Sequence, residues 1–277
     1  VIGGPAIAVR FLGTGGARFV TAKQIRATGG MWLRFGADDC GEPETQIHVD
    51  PGPGALVRAL ESVPPCEPEK LDAIVLSHKH LDHASDVNAM IEAMTVGGFR
   101  PRGKLLAPRD AFEGEPVIFP YAARFVPERE VLSERSGPYR VGNVAIETSV
   151  RHLHGVETYG LHFAYRGTTV SYLPCTRAFA GLAEDYARHD PDVLILNVLR
   201  YRDVADVDHL TLDDARAIVG IVRPKVAVFT HFGTRMLEAG PERIARELED
   251  ELGFAVRAAR DGWTLDVAAE VAAVARG

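Results

Sequence analysis

Three imidazoles and a carboxylate fall within six residues in His78-Lys79-His80-Leu81-Asp82-His83. Imidazole nitrogen and carboxylate oxygen are the usual protein ligands of zinc and its neighbours. A cluster this dense, in a chain with only ten histidines, points to metal chemistry. A bound divalent ion lowers the pKa of water and so makes a nucleophile near neutral pH. The bland reading is a polar loop with chance histidines, and the surroundings of the cluster argue against it.

The run Leu71-Asp72-Ala73-Ile74-Val75-Leu76 precedes the cluster. An apolar run containing Ile and Val reads as a buried strand, which puts Ser77 to His83 on a loop at the strand's C-terminal end. Open α/β sheets place ligands there. After the loop, Ser85 is expected to cap a helix whose apolar positions Val87, Met90, Ile91 and Met94 follow a helical period.

Further elements read in the same way. Strands are expected at Ala6–Leu12, Met31–Phe35, Gln46–Asp50, Val144–Val150, Leu161–Tyr165, Thr169–Leu173, Asp192–Val198, Lys225–Phe229 and Trp263–Leu265. Helices are expected over Ala55–Val63, from a capping box at Thr211 and Asp214, and over Glu242–Leu252 with Gly253 beyond its end. Ala37 to Glu44 reads as a polar turn, and the Ala-rich C-terminus as a frayed tail. The stretch Gly97–Tyr139, with short apolar runs at Leu105-Leu106 and Val117-Ile118-Phe119, is expected to give a strand or two and loops at the mouth of the site.

Gly13-Thr14-Gly15-Gly16 lacks the spacing of a dinucleotide site, and no helix is expected after it. Arg26, on a loop beside glycines, reads either as an anion contact or as a solvated surface arginine. Asp50, before Pro51-Gly52, either starts a turn or supports a ligand from behind.

The charge of −7 argues against broad attraction to nucleic acid, and the eight basic and six acidic residues between Phe99 and Arg140 make no patch. Cys40, Cys66 and Cys175 have neither the number nor the spacing of a disulfide framework, which fits a reducing compartment. With no long apolar run and no signal-like start, a cytoplasmic protein without a membrane span is expected. Oligomeric state stays open, a homo-oligomer included.

Taken in order, the motifs resemble those of the metallo-β-lactamase fold superfamily. They are the acid Asp50 before Pro-Gly, the string His78 to His83, and His154 ahead of Thr158-Tyr159-Gly160; then follow the strand ending at Leu173-Pro174-Cys175-Thr176, and Thr230-His231-Phe232-Gly233. The resemblance implies an α/β architecture, an αββα sandwich of two mixed β-sheets flanked by helices, with residues 1–277 as a single domain. It implies that His78, His80 and His154 hold one metal, and that Asp82, His83 and His231 hold a second. His152 rivals His154, and His162 reads as a strand residue. Where much of the family has glycine and aspartate, this chain has Pro174 and Cys175. Cys175 is then a ligand to one metal or a buried bystander. Ser77-His78 and Thr230-His231 look like corresponding positions in two β-rich halves.

The implied cofactor is zinc, as two ions, with Mn2+ or Fe2+ as alternatives. The implied function is hydrolysis by hydroxide formed on the metals, with Asp82 orienting that group or accepting its proton. The glycine cluster, Thr158-Tyr159-Gly160, His209-Leu210-Thr211 and Thr230-His231-Phe232 are most similar to the ribonuclease Z-like and small phosphodiesterase branch. In that branch a histidine placed like His209 contacts the phosphate or acts as an acid; otherwise it is a helix-start residue bonded to backbone. The stretch from His154 to Cys175 is too short for an RNA-clamping arm, so a small anionic phosphodiester is expected and long structured RNA is not. The rival readings are hydrolysis of a lactone or β-lactam, and a non-catalytic module in which zinc is structural or Cys175 senses redox state.

Overall fold

The computed structural model describes residues 7–36, 44–202 and 207–274. Ala6, most of the polar turn expected before Glu44, and Cys40 lie outside the described residues.

Among the described residues the chain forms two seven-stranded sheets. The first contains β1 (Ile7–Phe11), β2 (Met31–Phe35), β3 (Thr45–Val49), β4 (Ala73–Val75), β5 (Lys104–Pro108) and β6 (Glu128–Leu132). The second contains β7 (Tyr139–Val141), β8 (Val144–Arg151), β9 (Tyr159–Tyr165), β10 (Thr168–Leu173), β11 (Val193–Asn197), β12 (Val226–Thr230) and β13 (Ala255–Ala258). Strand β14 (Thr264–Asp266) returns to pair with β1, so the orders are β14-β1-β2-β3-β4-β5-β6 and β13-β12-β11-β10-β9-β8-β7. Each sheet is antiparallel on one side and parallel on the other, the change falling at β3/β4 and at β10/β11.

The side-chain period of two builds the layers. In β11, Val193 and Ile195 face the core between the sheets, while Leu194 and Leu196 face helices on the outside. In β12, Val226 and Val228 face inward and Ala227 and Phe229 outward. A strand covered on both faces must be apolar throughout, which is why these segments read as continuous hydrophobic runs. Outside the first sheet lie α2 (Ala55–Glu61) and α4 (Val87–Met94), the latter burying Val87, Met90, Ile91 and Met94. Outside the second lie α7 (Leu182–Ala187), α8 (Leu212–Val222) and α10 (Pro241–Leu252). Helix α8 starts at the expected Thr211–Asp214 capping box, and α10 ends at Gly253 in the left-handed region. No helix among the described residues is long and apolar enough to cross a membrane.

Several local expectations are corrected. A short helix, α1 (Ala17–Lys23), does follow the glycine cluster. Ser85 does not cap α4, whose N-cap is Asp86; it follows the last residue of α3 (Leu81–Ala84), and its hydroxyl donates to the carbonyl of Leu81, the first residue of that helix. Val117–Phe119 forms no strand and sits between the short helices α5 (Arg109–Phe112) and α6 (Pro120–Ala123). The alanine-rich tail is helical as α11 (Val267–Val274), which packs on β1, β12 and β14 and brings Val267, Val271 and Val274 to the inter-sheet core. Helix α9 (Thr234–Ala239) completes the set. Strand order also revises the proposed correspondence between halves: β4 matches β11, and β3 matches β10, so Asp50 corresponds to the position near Cys175 rather than His78 to His231.

Arg26 turns inward to protein partners. Its guanidinium donates to Thr14 Oγ1 at 3.0 Å and pairs with Glu242 at 3.4 Å, because the neighbouring chain needs those bonds internally. At the centre of this network is Asp261, between β13 and β14. It accepts from the Thr14 amide (2.9 Å), the Thr14 hydroxyl (2.7 Å) and the Ala27 amide (2.8 Å). Asp261→Ala leaves these donors without an acceptor and is expected to lower unfolding stability by about 2 kcal/mol. Urea denaturation measures it, and an unchanged midpoint would show that the network does not hold the glycine loop.

Candidate metal centre

Every functional loop leaves the carboxyl end of a strand. Asp50 follows β3, Ser77 and His78 follow β4, His154 follows β8, Cys175 follows β10, Asn197 ends β11 and His231 follows β12. The loops of both sheets therefore meet at one edge of the sandwich.

The Asp50 carboxylate organises this edge. It accepts from the Ser77 amide (2.7 Å), the Ser77 hydroxyl (2.6 Å), His83 Nδ1 (3.0 Å) and the Tyr172 hydroxyl (3.1 Å). Burial opposes its ionisation, but His83, His78 and the Ser77 bonds outweigh that and hold its pKa below the usual carboxylate value. Asp50 therefore does more than start a turn: it holds His83 from behind. By accepting a hydrogen bond from His83 Nδ1–H it turns Nε2 toward the centre.

The predicted ligands converge in two adjoining groups. His78, His80 and His154 bring one nitrogen each to a common point, and Asp82, His83 and His231 do the same beside it. His80 Nδ1 lies 2.9 Å from His154 Nε2, and His83 Nε2 lies 2.9 Å from His231 Nε2. His154 Nδ1 donates to the Asp208 carbonyl at 2.9 Å, which leaves Nε2 unprotonated and facing the group. Asp82 Oδ2 accepts from the Ala17 amide at 2.9 Å and lies 3.3 Å from His231 Nε2. Cys175 stands at the junction, its Sγ 3.5 Å from His83 Nε2 and 3.6 Å from His231 Nε2, and grouped also with His78. His209 joins Cys175 and His231 in a further group, its ring centroid 5.1 Å from that of His154.

The rejected candidates have other partners. His152 is buried behind the centre, with Nε2 3.1 Å from the Tyr186 hydroxyl and Nδ1 3.3 Å from the Cys175 carbonyl. His162 is a buried β9 residue whose Nδ1 lies 2.7 Å from the Ser171 hydroxyl. The stretch Gly97–Tyr139 lines neither pocket beside the centre; only Asp110 and Glu115 touch the site loops, through Glu157 and Lys79.

Two features test whether this donor set fits a divalent cation. First, His78 is fully buried and its Nε2 has no hydrogen-bond partner among the described residues, a cost that a metal bond relieves. Burial holds its pKa near 3 and that of His154 near 4, so both are neutral with lone pairs free at pH 7. Second, the remaining groups set the anionic Cys175 and Asp82 against imidazoles. Burial alone would raise the Cys175 thiol, yet His231 and His83 hold it well below its ordinary value. His231 in turn is pushed up to about 9: burial opposes this, but the Cys175 charge and the Asp82 bond prevail. Protons on these imidazoles balance charge that a divalent ion would balance, so the residues fit the group.

Backbone approach is as close as side-chain approach. A methyl group at Gly16 would strike the His231 ring, and one at Gly52 would strike the Thr28 and Asp82 carbonyls. Asp50 and His231 adopt left-handed φ values of 55° and 59°, uncommon for residues with a Cβ. Sequence reasoning missed Tyr172 and Asn197, whose amide nitrogen lies 3.1 Å from the Tyr172 hydroxyl and 3.5 Å from Cys175 Sγ. Nothing in their buried strands distinguishes them from core residues. Asp50→Ala is expected to lower metal affinity by about tenfold to a hundredfold while retaining the fold. Metal content after dialysis against graded chelator checks it; full retention would show that Asp50 serves the fold alone.

The comparisons with known proteins agree with this geometry. Residues 45–232 match the family model described as the beta-lactamase superfamily domain. The uncharacterized protein MJ1374 of Methanocaldococcus jannaschii is 28% identical over 269 residues, covering 94% of this chain and 95% of that protein. The probable metallo-hydrolase YhfI of Bacillus subtilis is 29% identical over 126 residues, 46% of this chain and 50% of that one. Its crystal structure, of a metallo-β-lactamase fold protein, superposes with a TM-score of 0.70 at 19% identity, covering 94% of this chain and 99% of YhfI. A diphosphatase of the PhnP family superposes with a TM-score of 0.64 at 20% identity, covering 94% and 96% of the two chains. With more than half its length matched by the family model and the fold shared, the chain belongs to the beta-lactamase superfamily of metallo-β-lactamase-fold, metal-dependent hydrolases.

Proposed function

We propose that the chain hydrolyses a small phosphodiester at a pair of divalent ions, zinc by preference. The observation that carries this reading is the surface beside the ligands: a pocket of about 960 Å³ adjoining His209 is lined by Arg18, Arg200, Arg202 and Arg235. Guanidinium groups match phosphate oxygens in geometry and charge, whereas an ester carbonyl needs only one donor. That the PhnP-family neighbour is a diphosphatase supports cleavage at phosphorus. Nitrogen and sulfur donors favour zinc over magnesium or calcium.

His78, His80 and His154 hold one ion in this reading; Asp82, His83 and His231 hold the other, and Cys175 bonds at their junction. Bound there, two divalent ions supply an activated water and neutralise charge on the phosphoryl oxygens. Asp82, fixed by the Ala17 amide, would orient the attacking water or accept its proton. The new P–O bond forms as the bond to the leaving oxygen breaks. His209, at the edge of both the donor set and the pocket, gives the leaving oxygen its proton. Eight candidate donors, with His209 lining the adjoining pocket, are more than one closed, four-ligand structural site uses, which speaks against a purely structural or sensing role.

Turnover of bis-p-nitrophenyl phosphate far above that of a simple lactone is the expected result, abolished by chelator and restored by zinc. Faster lactone turnover would overturn the phosphodiester reading in favour of acyl hydrolysis. His209→Gln is expected to lower kcat by about a hundredfold or more with metal content unchanged. Loss of metal in that variant would instead make His209 a ligand. Cys175→Ala is expected to lose one ion per chain, measured by elemental analysis; retention of both would make the thiol a bystander.

A further inference from the structure

The pocket beside His209 holds more positive charge than one scissile phosphodiester needs. Such a group carries a single negative charge, which the centre and one neighbouring guanidinium meet. Yet Arg18, Arg200 and Arg202 line the pocket, and none of the three has a carboxylate partner among the described residues. Pairing is common elsewhere, as in Arg26 and Arg260 with Glu242, Arg177 with Asp208, and Arg257 with Glu249 and Glu270, although exposed arginines such as Arg58 and Arg223 also have no carboxylate partner among the described residues. Within the same pocket Arg235 is paired with Glu238 at 2.7 Å. Arg200 Nε is also buried without a partner, which costs free energy unless a ligand supplies an acceptor.

The same wall carries two aromatic rings. Phe19, on α1, is 75% exposed, and the Tyr201 ring has the Arg202 guanidinium carbon 5.7 Å from its centroid. Val20 and Leu199 add apolar surface between them. A lining that combines stacking faces with unpaired guanidinium groups suits a ligand that joins a flat ring to a second anion. A lone inorganic anion leaves the rings unused, and a neutral aromatic leaves the arginines unmet.

We propose that this pocket binds a nucleoside phosphate portion of the substrate, its base against Phe19 and Tyr201 and a phosphate other than the scissile one among Arg18, Arg200 and Arg202. The proposal rests on the phosphodiester reading above and narrows it: one ester arm of the substrate is a nucleotide bearing a further phosphate. His209 then stands between the scissile group and that arm.

Three p-nitrophenyl esters separate the contributions: methyl p-nitrophenyl phosphate, thymidine 5′-(p-nitrophenyl phosphate), and the same compound with a 3′-phosphate. With wild-type protein, the base is expected to raise kcat/KM by about fivefold or more through stacking. The 3′-phosphate is expected to raise it by a further factor of about ten through charge-assisted hydrogen bonds. Phe19→Ala is expected to erase the first increment, and Arg18→Ala and Arg202→Ala to reduce the second. Turnover of all three esters at similar kcat/KM by the wild type would overturn the proposal while leaving phosphodiester hydrolysis standing. Increments that survive in all three variants would overturn it equally. If no ester is cleaved, the phosphodiester reading fails, and calorimetry with thymidine 3′,5′-bisphosphate still tests the pocket. Binding weakened about tenfold in Arg202→Ala would support the nucleotide site, and absence of binding would remove it.

Discussion

A carboxylate without water around it is the constraint on which this structure turns. Asp50 is 2% exposed, and an unpaired charge at that depth would be driven to protonate. It stays ionised because four donors from three places in the chain converge on it: Ser77 twice, His83 and Tyr172. Ser77 comes from the first sheet and Tyr172 from the second, so satisfying one charge draws on both sheets at the loop edge. Satisfying it also presents His83 to the centre. The left-handed backbone of Asp50 is the conformational cost of placing that carboxylate at the end of β3, and its hydrogen bonds offset it.

The loops at the strand ends were legible in the sequence because the strands before them are covered on both faces. Ala73-Ile74-Val75 and Val226-Ala227-Val228-Phe229 must be apolar throughout, and the first polar residues after each are therefore at an edge. His154 and His152 could not be separated by pattern alone. They differ by one alternation at the end of β8, and only the fold shows that one turns toward His80 while the other turns toward Tyr186. Arg26 was open to two readings because its partners, Thr14 and Glu242, are distant in sequence. The terminal helix α11 was unreadable for a related reason. Its alanines carry little amphipathic signal, and what orders it is contact with β1, β12 and β14 rather than its own pattern.

Cys175 shows how position outweighs residue type. It occupies the end of β10, the strand that matches β3, and so stands in the second half where Asp50 stands in the first. One position holds a buried acid that faces away from the donor nitrogens, the other a thiol that faces them. Asn197, at the end of the next strand, donates toward the thiol and so favours its anionic form. A thiol in this surrounding is tuned by imidazoles from distant parts of the chain, His231, His83 and His209, which no local motif displays.

The donors divide between the sheets: His78, His80, Asp82 and His83 arise from the first, and His154, Cys175 and His231 from the second. Neither half by itself offers the whole donor set. A divalent ion held by it would gain its full set of bonds only after the sandwich has closed, and its binding free energy would favour the closed state over any opened one. The ion acts in this respect as a clasp at the loop edge, opposite in kind to the apolar contacts of the interior, which tolerate small displacements. Occupancy would then report on assembly: a molecule whose halves have docked out of register retains its hydrophobic core in part, but would not hold an ion.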